Sequence, residues 1–271
     1  MNFFEKILYF LQKEMERPSS YGFYHFFCLF IMLLIIIILF KKKNYTEKNL
    51  KIVLATYAIG AFILELLKQI VWSFNFDPSL NLVTWDYQWY AFPYQLCSTP
   101  IYICLICLFL KKSKLRDNLF AYLAFFTILG SLSTAIYPES CFVRTILINI
   151  HTMYLHLGSL IVSVYLIMSK EVELSKKSFF NGYFIFVITA VIALIMNITF
   201  YNLNIINGET FNMFYISPYF ISSLPVFDVI QSHTPYLVFL FLYFFAILSG
   251  GYLIFAICKL IRLIYKKHQH S

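Results

Sequence analysis

Charged residues are scarce in this sequence. Asp, Glu, Lys and Arg make up 13% of its 271 residues, whereas soluble domains carry about 25%. Hydrophobic residues account for 61% of the chain and aromatic residues for 20%, and the apolar residues form runs long enough to cross a bilayer. A soluble fold needs a polar exterior, which this composition cannot supply. The sequence therefore predicts an integral membrane protein.

Features of several other protein classes are also missing. The formal charge is +8, but the basic residues lie in short loops rather than on one face, which excludes nucleic acid and predicts membrane lipids as partners. Five of the six cysteines lie within or at the ends of apolar segments, where a disulfide framework is not expected. Cys104 and Cys107 form C-x-x-C inside an apolar run without a second pair, which favours packing over zinc or redox chemistry. We therefore predict no metal and no cofactor, and the sequence does not indicate an oligomeric state.

Seven apolar runs have the length of about 20 residues that crosses a bilayer. They predict an all-α fold, a polytopic membrane protein of seven transmembrane helices that forms one membrane domain over residues 1–271. Residues 1–16 place their apolar side chains on one side of a helix, which predicts an interfacial amphipathic helix. The first long run has no small-residue cleavage site, so a signal peptide is disfavoured. The predicted spans are 21–40, 50–74, 92–110, 119–135, 148–168, 179–200 and 235–260.

Basic residues lie mostly in alternate loops. Sixteen Lys and Arg side chains, Lys43 among them, fall in the four segments that would then be cytoplasmic, and four fall on the other side. By the positive-inside rule, these loops predict a multi-pass protein of the cell membrane with its N-terminus outside and its C-terminus in the cytoplasm. The fourth span is diluted by small residues such as Gly130 and Ser131, which predicts that it packs inside the bundle. The aromatic-rich loop 201–234 is long enough to fold back over the outer mouth of the bundle as a lid.

Polar residues within the spans lie mainly in their outer halves. Charged groups at this depth cost energy, so Glu65 and Lys68, three residues apart on one helical face, either neutralise each other between helices or line a polar cavity. A cytoplasmic half almost free of polar groups favours a closed pocket over a channel. Further polar residues in the outer halves of the spans are Gln69, Gln95, Cys97, Asn149, His151, His156 and Asn197.

Cys97 and His156 are the candidate nucleophile and base. Each lies about 5 to 8 residues inside the outward end of its span, at a depth of about 10 Å. A thiol beside an imidazole forms a reactive thiolate that can attack an ester carbonyl and accept an acyl chain. Packing is the alternative role for both residues. Pro93 and Pro100 flank Cys97 and either bend the helix or open a turn that exposes the cysteine.

Several segments resemble the YwaF-type family of bacterial integral membrane proteins, which is related to the transmembrane protein 164 family. Residues 92–97 read Phe-Pro-Tyr-Gln-Leu-Cys, residues 154–159 read Tyr-Leu-His-Leu-Gly-Ser, and residues 210–214 read Thr-Phe-Asn-Met-Phe. The resemblance extends from about residue 85 to residue 236. It implies a phospholipid acyltransferase that uses a cysteine, which in this chain is Cys97, with His156 as its base.

The leading functional hypothesis is thus a membrane protein with an outer-leaflet polar pocket that acts as a phospholipid acyltransferase or acyl hydrolase. Tyr94, Gln95 and Asn149 are predicted to orient the ester, and His151 to contact the substrate. The alternative is a small-solute transporter or membrane sensor that binds its ligand through Glu65 and Lys68.

Overall fold

A computed structural model describes residues 1–42, 45–139 and 141–269 as a bundle of helices. Lys43, one of the basic residues used to predict orientation, lies outside these residues. Two short 3₁₀ turns, Trp89–Ala91 and Met213–Tyr215, and a π-helical turn, Leu123–Thr127, add to the helices. The helices are α1 (Phe3–Leu11), α2 (Phe23–Lys42), α3 (Glu47–Ser73), α4 (Thr99–Phe109), α5 (Lys114–Tyr122), α6 (Ile128–Ile136), α7 (Ile146–Met168), α8 (Lys176–Asn202), α9 (Phe227–His233) and α10 (Tyr236–Gln269).

Six helical stretches are long and apolar enough to cross a membrane, which confirms a multi-pass helical protein. The π-helical turn joins α5 to α6, so that Lys114–Ile136 is one such stretch. Of the residues in its most apolar part, 72% are buried. The prediction that this span packs inside the bundle is confirmed. The corresponding fraction for α2 is 11%, as expected for a helix that faces lipid. The six stretches are Phe23–Lys42, Glu47–Ser73, Lys114–Ile136, Ile146–Met168, Lys176–Asn202 and Tyr236–Ile264.

The predicted third span, 92–110, is wrong as a continuous helix. Residues 92–98 form turns, in which the N–H groups of Ser98 and Thr99 both donate to the carbonyl of Gln95. Helix α4 then runs for 11 residues, about 16 Å, roughly half of a bilayer core. Pro100 lies in its first turn, the position where a helix tolerates proline, and Pro93 disrupts the segment before it. Within the described ranges, six helical stretches therefore have the length of a full crossing, and α4 is a shorter seventh segment.

Two local features differ from the sequence prediction. A hairpin of β1 (Phe74–Asp77) and β2 (Leu82–Trp85), paired antiparallel, follows α3 where an all-α fold predicts only loop. The interfacial helix is shorter than residues 1–16, because it begins at the capping box of Asn2 and Glu5 and ends at Leu11. Leu8 is buried, whereas most other apolar side chains of α1 are exposed, as an interfacial helix requires.

The basic loops meet at one end of the bundle. Lys112, Lys170 and Lys177 line a common cavity there, although they come from three separate parts of the chain. Arg116 is buried beside them and pairs with Glu47 at 2.6 Å and with Glu171 at 3.6 Å. This clustering on one end agrees with the distribution from which the cytoplasmic side is predicted.

Candidate functional site

A cavity of about 440 Å³ lies at the end of the bundle opposite the basic loops. It is formed by the last turns of α3, the turns before α4, the first half of α7 and the loop between α8 and α9. Lys68 on its wall lies about 30 Å along α3 from Glu47 at the basic end. The lining includes Lys68, Gln95, Cys97, His151, Thr152 and His156.

Cys97 lines this cavity from the turn that precedes α4. The residue is partly buried, and its thiol is free. Helix α4 begins two residues later, and its N-cap residue Ser98 makes no side-chain capping bond. The positive end of a helix dipole favours a thiolate. The break of the third span thus places the cysteine at the N-terminal end of a helix instead of in its middle.

His156 lines the same cavity from α7. It is 9% exposed, and its Nδ1 atom is buried without a hydrogen-bond partner. Among the described residues, no hydrogen bond joins Cys97 to His156. The structure therefore brings the two residues to one cavity as separate groups, with an imidazole nitrogen available to accept a proton.

A second polar cluster connects α3 to α7 beside the cavity. One oxygen of Glu65 accepts from Lys68 at 2.5 Å and from Gln69 at 2.8 Å. Its other oxygen lies 2.7 Å from Nε2 of His151. Glu65 itself is outside the cavity lining, whereas Lys68 and His151 are part of it. The helical spacing predicted the contact of Glu65 with Lys68, but no sequence signal indicated the contact with His151 on another helix.

The loop between α8 and α9 lines part of the cavity, and several of its side chains are buried in the bundle. Phe211, Met213 and Phe214 have no exposed surface. Gln95 accepts from the N–H of Phe214 at 2.7 Å and donates to the carbonyl of Asn212 at 2.9 Å. Both ends of this amide therefore bond to the loop backbone, so its role in the structure is to hold the loop. Residues 210–223 also contribute Asn212 and Tyr215 to the lining.

Two residues predicted to orient the ester lie outside the lining. The hydroxyl of Tyr94 donates to the carbonyl of Thr189 at 3.4 Å. Asn149 is fully buried, and its amide accepts from the N–H of Val143 and donates to the carbonyl of that residue. The polar atoms of both side chains form hydrogen bonds with the protein backbone. The structure does not place either side chain against the cavity.

No cluster of three or more His, Cys, Asp or Glu suited to a metal ion occurs in the described part of the chain. The model of the TMEM164 family matches residues 19–261, a range that includes every residue lining the cavity. No curated protein and no solved structure matches the chain.

Proposed function

The chain belongs to the TMEM164 family, and from this premise we propose that it is a phospholipid acyltransferase or acyl hydrolase of the cell membrane. Cys97 is the nucleophile and His156 is the general base. The observation that carries the proposal is that Cys97, with a free thiol, and His156, with one imidazole nitrogen that has no hydrogen-bond partner, line one cavity between membrane-length helices. The cavity volume of about 440 Å³ falls within the range of about 300 to 1,000 Å³ that is usual for ligand sites.

The reaction has two halves. In the first, His156 takes the thiol proton, Cys97 Sγ attacks the ester carbonyl carbon, and the carbon–oxygen ester bond breaks as the imidazolium returns the proton to the leaving lipid oxygen. The products are an acyl thioester at Cys97 and a lysolipid. In the second half, His156 deprotonates the hydroxyl of an acceptor lysolipid, or water, which attacks the thioester. The sulfur leaves and regains its proton from the imidazolium.

Local structure supports this use of Cys97. The position before α4 provides the positive end of a helix dipole for the thiolate. The apolar side chains on the wall, such as Ile148 and Leu155, suit an acyl chain next to its ester.

The test is acyl turnover by the purified protein in liposomes that contain a phospholipid with a labelled acyl chain and an unlabelled lysophospholipid. Cys97→Ser and His156→Ala should each lower the rate by about 100-fold or more. Cys104→Ser is the matched control, because Cys104 is buried in α4 outside the cavity lining. Undiminished turnover in a Cys97→Ser, His156→Ala double variant would overturn the proposal.

A second candidate is a small-solute transporter or sensor. The observations that favour it are the charged cluster of Glu65 and Lys68 and the shortened helix α4, since interrupted helices often form transport sites. Uptake of labelled solutes into proteoliposomes tests this candidate, which predicts that Glu65→Gln with Lys68→Met abolishes uptake. Uptake that survives the double substitution rejects the use of this pair as the transport site.

A further inference from the structure

Lys68 and His151 lie around the carboxylate of Glu65, which does not itself line the cavity. Glu65 is 3% exposed and bonds through one oxygen to Lys68 and through the other to His151. Both of these partners line the cavity, and Glu65 does not. The carboxylate thus fixes two nitrogen-bearing side chains from different helices side by side on one wall.

Both side chains retain unused hydrogen-bonding capacity. The ammonium group of Lys68 has three N–H donors, and its contact with Glu65 uses one of them. His151 is bonded through Nε2, and its Nδ1 has no hydrogen-bond partner among the described residues. Lys68 can therefore offer further N–H groups to a ligand in the cavity. The imidazolium form of His151 offers one at Nδ1 while its Nε2 donates to Glu65.

The charge of the wall favours an anion. Lys68 is the only Lys or Arg in the described lining of the cavity, and that lining contains no Asp or Glu. With His151 protonated, the cluster of Lys68, His151 and Glu65 has a net charge of +1, from two positive groups and one negative group. A phosphodiester, with a single negative charge, would neutralise it and accept from both donors.

The position of the cluster suits a lipid headgroup. Lys68 Nζ lies 5.7 Å from the ring centre of Trp72, and Trp72 packs against Tyr90 at 5.6 Å. Both aromatic residues also line the cavity. Trp and Tyr at the end of a membrane helix are typical of the headgroup level of the bilayer.

We infer that Lys68 and His151, held by Glu65, bind the phosphodiester of a glycerophospholipid headgroup and so place its ester beside Cys97. The inference rests on the proposed function for the ester chemistry, and it adds the group by which the substrate is recognised. It makes Lys68 and His151 specificity residues that distinguish a phospholipid from a diacylglycerol with the same acyl chains.

Binding can be measured apart from catalysis in the Cys97→Ser protein by native mass spectrometry in detergent. The probes are a short-chain phosphatidylcholine and the diacylglycerol with the same chains. In the Cys97→Ser background, Lys68→Met should weaken phosphatidylcholine binding about tenfold or more, since charge-assisted bonds are lost, and leave diacylglycerol binding unchanged. Lys68→Arg should keep most of the affinity, because the charge and donors remain. Lys13→Met is the matched control, since Lys13 lies outside this cavity.

Two results would overturn the inference. One is an unchanged affinity for phosphatidylcholine in Lys68→Met, and the other is an equal loss of affinity for phosphatidylcholine and diacylglycerol. Inorganic phosphate distinguishes the sources of the anion. Its failure to displace phosphatidylcholine supports a lipid headgroup, whereas displacement would assign the site to a soluble phosphate and contradict the inference. Headgroup-selective binding without any acyl turnover in the wild type would retain this site and reject the proposed reaction instead.

Discussion

Single polar side chains determine how the loop over the cavity is held. Asn197 on α8 accepts from the N–H of Met213 at 2.8 Å and donates to the carbonyl of the same residue at 3.0 Å. Its amide thus satisfies both backbone groups of a residue that has no exposed surface. Phe214 and Tyr215, which follow, have φ values of 57° and 58°, a conformation that is costly for bulky residues and needs support from its surroundings.

Asn197→Leu should therefore loosen the loop. The substitution leaves the buried N–H of Met213 without a partner, at a cost of about 1–3 kcal/mol. It also removes one of the two bonds to the Met213 carbonyl, which still accepts from the N–H of Ile216. Hydrogen–deuterium exchange should show faster exchange of the amides in residues 211–216. Asn202→Leu is the control, because Asn202 lies on the same helix but is exposed. Equal protection of the loop in both variants would contradict this role of Asn197.

Arg116 provides a second residue-scale test, at the basic end of the bundle. The side chain is 1% exposed and depends on Glu47 and Glu171 for its charge partners. Replacing both carboxylates by glutamine leaves a buried charge without a partner, which costs about 3–5 kcal/mol. The double substitution Glu47→Gln with Glu171→Gln should lower the unfolding temperature more than Arg116→Met, which removes the charge itself. The reverse order in a thermal unfolding experiment would show that the pairs do not compensate the burial of Arg116.

At the scale of elements, α5 and α8 approach each other at a glycine. A Cβ atom at Gly182 would lie 2.8 Å from the carbonyl carbon of Ala121 and 2.9 Å from the backbone nitrogen of Tyr122. These are backbone atoms, which cannot rotate away as a side chain can. The glycine therefore sets the distance between two helices of the bundle.

Gly182→Ala should separate α5 from α8 and lower the free energy of unfolding by about 1–3 kcal/mol. Gly130→Ala is a close control, since a Cβ there would meet no atom within 4 Å and alanine favours a helix. Thermal unfolding in detergent measures both variants. If Gly182→Ala is as stable as the wild type, the close packing of these two helices is not needed.

The sequence predicted most elements because lipid imposes long apolar runs, and six of the seven predicted runs are helices of sufficient length. It failed where local effects compete with hydrophobicity. In residues 92–98, Pro93 and a turn at Gln95 outweigh an apolar composition that suits a span. The strands of the hairpin after α3 pair only from Phe74 with Trp85 to Asp77 with Leu82. They are too short to show a clear alternation of apolar and polar residues.

The candidate site was predictable in part, for a physical reason. Depth along a span predicts Cys97 and His156 at one level, and both residues line one cavity, together with His151. Sequence cannot show whether a buried amide binds a ligand or the backbone. In the structure, the amides of Gln95 and Asn149 both bond to the backbone of neighbouring loops, and their contact with a substrate stays a prediction. The relationship to transmembrane protein 164 is confirmed by the family match, whereas the assignment of Cys97 and His156 as a catalytic pair remains a prediction.

At the scale of the whole molecule, the two ends of the bundle differ in charge and chemistry. At one end, basic side chains line a cavity. At the other end, Cys97 and the loop between α8 and α9 line the second cavity. By the positive-inside rule, this asymmetry predicts that the basic end lies in the cytoplasm and the candidate site in the outer leaflet.

The orientation can be tested directly in cells. An epitope tag before Met1 should be reached by an antibody on intact spheroplasts, and a tag after Ser271 only after the membrane is permeabilised. A tag in the basic loop between α7 and α8, near Lys170, serves as a control for a protected position. Accessibility in the opposite pattern would place the candidate site in the inner leaflet.

The central claim, that Cys97 is a nucleophile activated by His156, is tested most directly by labelling the protein in native membranes. The probe is a lipid-like electrophile with an ester or alkylating group, and the labelled residue is identified by mass spectrometry. The account predicts selective labelling of Cys97 that falls at least about tenfold in His156→Ala and is unchanged in Cys104→Ser. An unreactive Cys97, or labelling that is the same with and without His156, would contradict it and return both residues to packing.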